Sequence, residues 1–186
     1  MTADRLDRAA WVAAGLDALE REGVAGVAAA PLARTLGVTR GSFYWHFDSR
    51  QELLAAVVER WEREHSDEVL DALQDVADPA ARLRLLIERA TGKPPSFFVR
   101  LLDAADAEPV VAAALQRSAT RRREVMTTAL CELGMTPAEA RRRALLPYTS
   151  YVGLARMLAD DPGVLPPRQR AAYARHLVAT LVPGPA

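Results

Sequence analysis

The side chains best suited to binding chemistry are concentrated between Arg34 and Arg50. Three arginines stand there against the single acid Asp48, which gives a local net charge of +2 in a chain whose 24 basic and 24 acidic residues otherwise cancel. Hydroxyl, aromatic and imidazole groups accompany them, and the whole set is Thr39, Arg40, Gly41, Ser42, Tyr44, Trp45, His46 and Arg50. Such groups donate hydrogen bonds to phosphate oxygens and base edges. The pattern predicts a local nucleic-acid-binding surface.

Two short helices joined by a glycine turn are expected to position these side chains. Ala33 and Gly37 stand four residues apart, where a steep helix crossing needs a small side chain and a turn residue that tolerates positive φ. Apolar anchors occupy the matching positions Leu32, Leu36, Val38 and Phe43. The spacing predicts helices over 31–36 and 40–47, arranged as a helix-turn-helix.

The second of these helices is expected to be exposed on one face. Thr39 is its predicted N-cap, and Phe43 and Phe47 face inward because they lie one turn apart. The other residues of the helix then face solvent. The alternative is that Tyr44 and Trp45 pack beneath the first or the fourth helix.

The rest of the chain has helical periodicity and no run of residues typical of a strand, so we predict an all-α fold. About nine helices are expected, over 4–22, 31–36, 40–47, 50–78, 79–92, 97–106, 109–133, 137–159 and 168–181. Capping boxes at Ser49/Glu52 and Thr136/Glu139 open two of them, and Pro147 is expected to kink one. We expect two domains, a small three-helix unit over 1–50 and a larger helical body over 51–186.

Composition limits the other possibilities. The 186 residues are 50% hydrophobic with a pI near 6.8, as in an ordinary globular protein. The N-terminus lacks a signal-peptide pattern, and no apolar run is long enough to cross a membrane, so a cytoplasmic protein without membrane contact is expected. The lone Cys131 cannot form an internal disulfide. The three histidines, His46, His65 and His176, have no metal-ligand spacing, so neither an enzyme nor a metal or other cofactor is expected.

In its first third the sequence resembles the tetracycline-repressor (TetR) family of bacterial transcription regulators. The matching residues are Leu32-Ala33, Leu36-Gly37-Val38-Thr39, Gly41-Ser42-Phe43-Tyr44, His46-Phe47 and Leu53-Leu54, in register over 10–61. The resemblance implies an all-α homodimer whose first three helices bind a palindromic operator in double-stranded DNA. It further implies that a small effector binds the C-terminal body and alters the affinity for DNA.

Site residues follow from the resemblance by position. It places Thr39, Arg40, Ser42, Tyr44 and His46 at the major groove or its flanking phosphates. Arg50 stands where the family usually has a phosphate-binding lysine. The chain departs from the family before the second helix, where the run 28–30 is all alanine and lacks the hydroxyl residue often found there.

Two further sets of residues are predicted in the C-terminal body. The first surrounds a pocket for a largely apolar effector and consists of Trp61, His65, Phe97, Phe98, Met126, Tyr148, Tyr151 and Met157. The second pairs with another copy of the chain and consists of Leu145, Leu146, Val152, Ala155, Leu158, Leu177, Val178 and Leu181. For both sets the alternative is packing in the core of one subunit. The arginine triplets 121–123 and 141–143 are interpreted as solvated helix faces.

The sequence therefore predicts a ligand-responsive repressor that binds DNA through the helix at 40–47. The competing interpretation is a helical adaptor or ligand-binding protein whose helix-turn-helix contacts another protein. Selection from random DNA duplexes separates the two, because an adaptor enriches no sequence.

Overall fold

The computed structural model describes residues 6–92 and 96–182, and within them it contains ten α-helices and no strand. The helices are α1 (Arg8–Glu22), α2 (Ala29–Thr35), α3 (Arg40–Phe43), α4 (Arg50–Glu62), α5 (Glu68–Gln74), α6 (Pro79–Gly92), α7 (Ser96–Ala104), α8 (Pro109–Glu132), α9 (Pro137–Asp160) and α10 (Pro167–Leu181). The predicted all-α fold is confirmed. The expected helix start at Asp4 lies outside the described residues.

Helices α1 to α4 form the N-terminal module around an aromatic core. Trp11 of α1 is fully buried and meets the ring of Phe43 edge-on, with ring centroids 5.5 Å apart. The ring of Phe47 stacks on that of Phe43 with the same centroid separation. Gly15 lets α1 and α4 approach closely, because a Cβ at this position would lie 2.5 Å from Val57 Cγ2. The module thus places α3 on a rigid apolar base.

The turn before α3 has the predicted geometry. Gly37 adopts a φ of +68°, which only glycine tolerates without strain. Thr39 is the N-cap, in extended conformation, and its carbonyl accepts from the Ser42 N–H. α3 is shorter than predicted, but backbone hydrogen bonds from the next residues to the carbonyls three earlier continue the helical path to Phe47.

The predicted helix over 50–78 is interrupted. α4 ends at Glu62, a wider π-helical turn occupies Arg63–Asp67, and α5 begins at Glu68. A turn of this kind inserts a residue into a helix and rotates the face presented by the next helical turn. Here the turn carries Ser66 fully into the interior. The segment contains neither glycine nor proline, so the local sequence had no signal for it.

The chain forms two compact units, divided differently from the predicted boundary. The first consists of residues up to 66 together with 100–115, and the second of 67–99 together with 116–186. α4 stays with the first unit because it packs along α1. The assignment of separate functions to 1–50 and 51–186 remains a prediction.

The second unit is built on a core in which α6 and α10 pack extensively against each other. Its buried residues come from α5, α6, α8 and α9, and include Leu73, Leu83, Met126, Leu130 and Ala144. Within the described part of the chain no helix has the length and apolarity that a membrane span requires. No group of three metal-ligating side chains occurs among those residues either.

Candidate nucleic-acid interface

The face of α3 and its adjoining C-terminal turn is exposed as predicted. The side chains of Tyr44 and Trp45 are 53% and 69% exposed, which excludes the alternative that they pack beneath another helix. Thr39, Arg40 and Gly41 are also exposed, and Ser42 and His46 are half-buried. We call these seven residues the α3 surface.

Arg40 and Tyr44 are joined on this surface. Arg40 Nη2 donates to the Tyr44 hydroxyl at 3.2 Å, one helical turn away. The Tyr44 ring in turn meets the buried Phe43 ring edge-on, with centroids 5.1 Å apart. The Tyr44 ring therefore packs on the core, and its hydroxyl orients the exposed guanidinium of Arg40.

The α3 surface is fixed to α4 by a reciprocal cap. Ser49 Oγ accepts from the Glu52 N–H at 3.1 Å, as the capping-box pattern predicts. Glu52 Oε2 accepts in return from the N–H of Asp48, one residue before the N-cap, at 2.8 Å. The Asp48 hydrogen bond, and after it the Arg8 guanidinium 3.2 Å away, lowers the pKa of Glu52. Arg8 also lies over the ring of Phe47 at 4.6 Å, so α1 joins the same cluster.

Arg50 does not join the α3 surface. Its Nε and Nη2 donate to the carbonyls of Val27 and Val24, both at 3.0 Å, and its Nη1 meets Glu108 Oε1 at 2.9 Å. Gln51 Nε2 donates to the other carboxylate oxygen of Glu108 at 3.2 Å. The hydrogen bond from Arg50 lowers the pKa of Glu108. These contacts form an internal clamp on Arg50 that no local pattern announces, because Glu108 lies 58 residues away. The phosphate-binding role of Arg50 stays a prediction.

Part of the predicted effector set comes together in the second unit. The rings of Phe98 and Tyr151 lie 4.9 Å apart. Burial raises the pKa of Tyr151 and lowers that of Arg122, whose charge interacts with Tyr151 and with Tyr148. Arg122 also donates to the buried hydroxyl of Ser118. We call Phe98, Arg122, Tyr148 and Tyr151 the aromatic–arginine cluster.

Arg122 is a residue that the sequence interpretation missed. The predicted solvated face over 121–123 holds for its neighbour Arg121, which forms ion pairs with Asp67 and Asp71. Arg122 instead lies in line with Ser118 and Met126, one turn to either side, and both of these are buried. That spacing was the available signal.

The other predicted effector residues are dispersed. Met126 belongs to the packed core of the second unit, and Met157 is exposed on the outer side of α9. Phe97 is half-buried. Trp61 and His65 belong to the first unit, where Trp61 is buried and the side chain of His65 is outside the described residues.

The predicted dimer set separates into three groups. Leu145 and Leu146 are 44% and 49% exposed, and Val152 is half-buried. Ala155 and Leu158 are buried within the chain, and they cannot supply an exposed interface. The α10 residues are half-buried because they pack against the core of their own unit, and they are Leu177, Val178 and Leu181.

Helices α2 and α3, joined by the turn at Gly37, form a helix-turn-helix with α3 exposed. Residues 12–57 match the family model described as bacterial regulatory proteins, tetR family. The N-terminal module is therefore similar in sequence to the tetR family of bacterial regulatory proteins.

Sequence similarity to a known regulator covers only part of the chain. The transcriptional regulator TtgR of Pseudomonas putida is 35% identical over 82 residues, which cover 43% of this chain and 39% of TtgR. The chain thus matches well under half of that relative's length.

Two solved structures share the fold over nearly the whole chain. SmeT, described as the repressor of a Stenotrophomonas maltophilia multidrug efflux pump, is 21% identical with a TM-score of 0.69, over 97% of this chain and 95% of SmeT. A protein from Saccharomonospora viridis, solved in complex with choline, is 16% identical with a TM-score of 0.79, over 92% and 95%. SmeT has also been solved with triclosan.

Proposed function

We propose that the protein is a transcription regulator that reads double-stranded DNA through the α3 surface. The observation that carries the proposal is the exposure of Arg40, Tyr44 and Trp45 on a helix anchored by the buried Phe43 and Phe47. Exposed aromatic and guanidinium groups on a rigid helix suit a polar, anionic partner. The description of TtgR as a transcriptional regulator supports this function and agrees with the prediction that the chain is not an enzyme.

Within this surface the residues take different roles. Arg40 is at the exposed start of α3, where a guanidinium donates two hydrogen bonds to a guanine edge. Thr39, Ser42 and His46 contact phosphates or adjacent bases. Trp45 lies over the sugar–phosphate backbone or a thymine methyl group. Arg50 is left out of this set because Glu108 and two carbonyls hold it.

The regulator acts as a homodimer on a palindromic operator. The exposed pair Leu145 and Leu146, with Val152 on the same helix, offers apolar surface for a second copy. Two recognition helices then read successive major grooves about 34–36 Å apart. SmeT is described as a repressor, which favours repression for this chain as well.

A largely apolar small molecule is the proposed effector, bound at the aromatic–arginine cluster. Phe98 and Tyr151 supply ring surface, and the Arg122 charge disfavours a cation in this place. Triclosan should therefore raise the melting temperature and choline should not. Tyr151→Ala should abolish the triclosan effect, and an equal response to both compounds would contradict this ligand class. The effector changes the affinity for DNA by no more than the ratio of its own affinities for the two dimer states.

Selection from a random duplex library tests the function directly. The purified protein should enrich one palindromic sequence whose half-sites lie about one helical turn apart. Arg40→Ala should enrich a degenerate version, and the matched control Arg142→Ala, an exposed arginine on α9, should enrich the original sequence. If no sequence is enriched, the adaptor interpretation replaces this one.

A further inference from the structure

The clamp around Arg50 joins three segments that are distant in sequence. Its guanidinium binds the carbonyls of Val24 and Val27 in the connection between α1 and α2. The third donor meets Glu108, the residue immediately before α8. All of these residues belong to the first unit. One side chain at the start of α4 therefore ties that helix both to the α1–α2 connection and to α8.

Both the backbone and the side chain of Glu108 accept hydrogen bonds. Its backbone carbonyl accepts from the N–H groups of Val111 and Ala112, so it is part of the first turn of α8. Its two carboxylate oxygens accept from Arg50 at 2.9 Å and Gln51 at 3.2 Å. The Glu108 side chain is 13% exposed and that of Arg50 is 36% exposed, so solvent screens the ion pair in part. Glu108 thus joins the start of α8 directly to the start of α4.

A second contact fixes the same region. Arg100 of α7 donates to the Glu20 carbonyl near the end of α1, and its side chain lies against Gly23. Gly23 has a φ of +75° and ends α1. Together Arg100 and Glu108 hold the segment 100–115 on the helix-turn-helix module.

We propose that Glu108 is a positioning residue that sets the DNA-binding geometry of the α3 surface through Arg50 and Gln51. The inference rests on the proposed function and names how that site is regulated. α8 continues from Glu108 into the second unit, so the clamp is where this helix acts on the recognition module. With the clamp open, the α1–α2 connection and the start of α4 lose a shared anchor. DNA binding must then order them, and this loss of conformational entropy lowers the affinity for DNA.

The test measures affinity for the duplex that the wild-type protein selects, over a series of salt concentrations. Glu108→Gln should weaken binding roughly five- to twentyfold, a typical coupling effect, and Glu108→Ala at least as much. The salt dependence should stay as in the wild type because no phosphate contact is lost. Glu132→Gln is the matched control, since Glu132 pairs with Arg82 at the other end of α8, and it should bind as the wild type does.

Two readouts separate positioning from a general loss of stability. In an Arg50→Gln background, Glu108→Gln should cause no further loss of affinity, because the two residues act as one unit. Hydrogen exchange without DNA should rise in Glu108→Gln at Gly26, Val27 and Ala28, whose N–H groups are bonded within the clamped connection. Exchange in α10 should not change.

Two results would overturn the proposal. Unchanged affinity and exchange in Glu108→Gln would show that the clamp positions nothing. Tighter binding with a steeper salt dependence would show that Glu108 instead competes with DNA phosphate for Arg50. If the wild-type protein selects no duplex, the proposed function fails, and the exchange data alone then decide whether Glu108 holds the module.

Discussion

Arg40 donates a hydrogen bond to the hydroxyl of Tyr44 at 3.2 Å, and both side chains are exposed. The phenol ring is supported by the buried Phe43, so the guanidinium is oriented before any partner binds. Preorganisation of this kind reduces the entropy lost on binding. It also links two residues that the sequence predicts to lie together at the DNA-binding surface.

Arg40→Ala should weaken binding to the selected duplex by about 1–3 kcal/mol and relax its sequence preference, because a bidentate base contact is lost. Binding to a scrambled duplex should change much less. Fluorescence anisotropy with both duplexes measures the two effects. An equal loss on both duplexes would assign Arg40 to phosphate contact.

Tyr44→Phe should reduce sequence preference in part, since it removes the hydrogen-bond acceptor that orients Arg40. In the Arg40→Ala background the same change should have a smaller effect, with a coupling energy of about 0.5 kcal/mol or more. A double-mutant cycle on the selected duplex gives this number. Strict additivity would mean that Tyr44 acts through a phosphate contact of its own.

Ser49→Ala should lower the free energy of unfolding by about 1 kcal/mol, because the Glu52 N–H loses its cap. Urea unfolding monitored by circular dichroism measures the change. Thr136→Ala is the comparison, since Thr136 caps α9 in the same way. A stability equal to that of the wild type in Ser49→Ala would show that water replaces the cap without cost.

Stability should fall in acid partly through Glu52 and Glu108. The pKa of each is lowered in the folded protein from the usual 4.5, so the unfolded state takes up protons first as the pH falls. Their contribution is complete above pH 4.5 and is lost as the pH falls through the folded-state values. Urea unfolding of Glu108→Gln should show a weaker acid dependence below pH 4.5 than the wild type, and an identical slope would contradict this.

Leu146→Glu should convert the proposed dimer to a monomer, because it places a charge in the exposed apolar pair on α9. Sedimentation velocity measures the state. Leu85→Glu is the control, since Leu85 is an exposed leucine on α6. If both variants remain dimeric, Leu146 does not lie in the dimer interface.

Features specified by neighbouring residues could be predicted from the sequence. The Ser49/Glu52 cap and the Gly37 turn both depend on residues at most four positions apart, and both are confirmed. The exposure of Trp45 follows from its position between the inward-facing Phe43 and Phe47.

Features that depend on distant partners could not be predicted. Arg50 turns inward because Glu108 meets it from far along the chain, and the π-helical turn over Arg63–Asp67 has no breaker residue to announce it. Ala155 and Leu158 fit an exposed apolar stripe equally well by pattern, but tertiary packing buries them. Helical periodicity shows which residues share a face and leaves open what covers that face.

The most direct measurement uses Trp45, whose indole is 69% exposed while Trp11 and Trp61 are buried. Quenching by acrylamide therefore reports mainly on Trp45, and mixed-sequence duplex DNA at low salt supplies the partner. The account predicts that saturating duplex protects Trp45 from the quencher and that added salt reverses the protection. Unchanged quenching, while anisotropy shows the DNA bound, would contradict the assignment of the α3 surface.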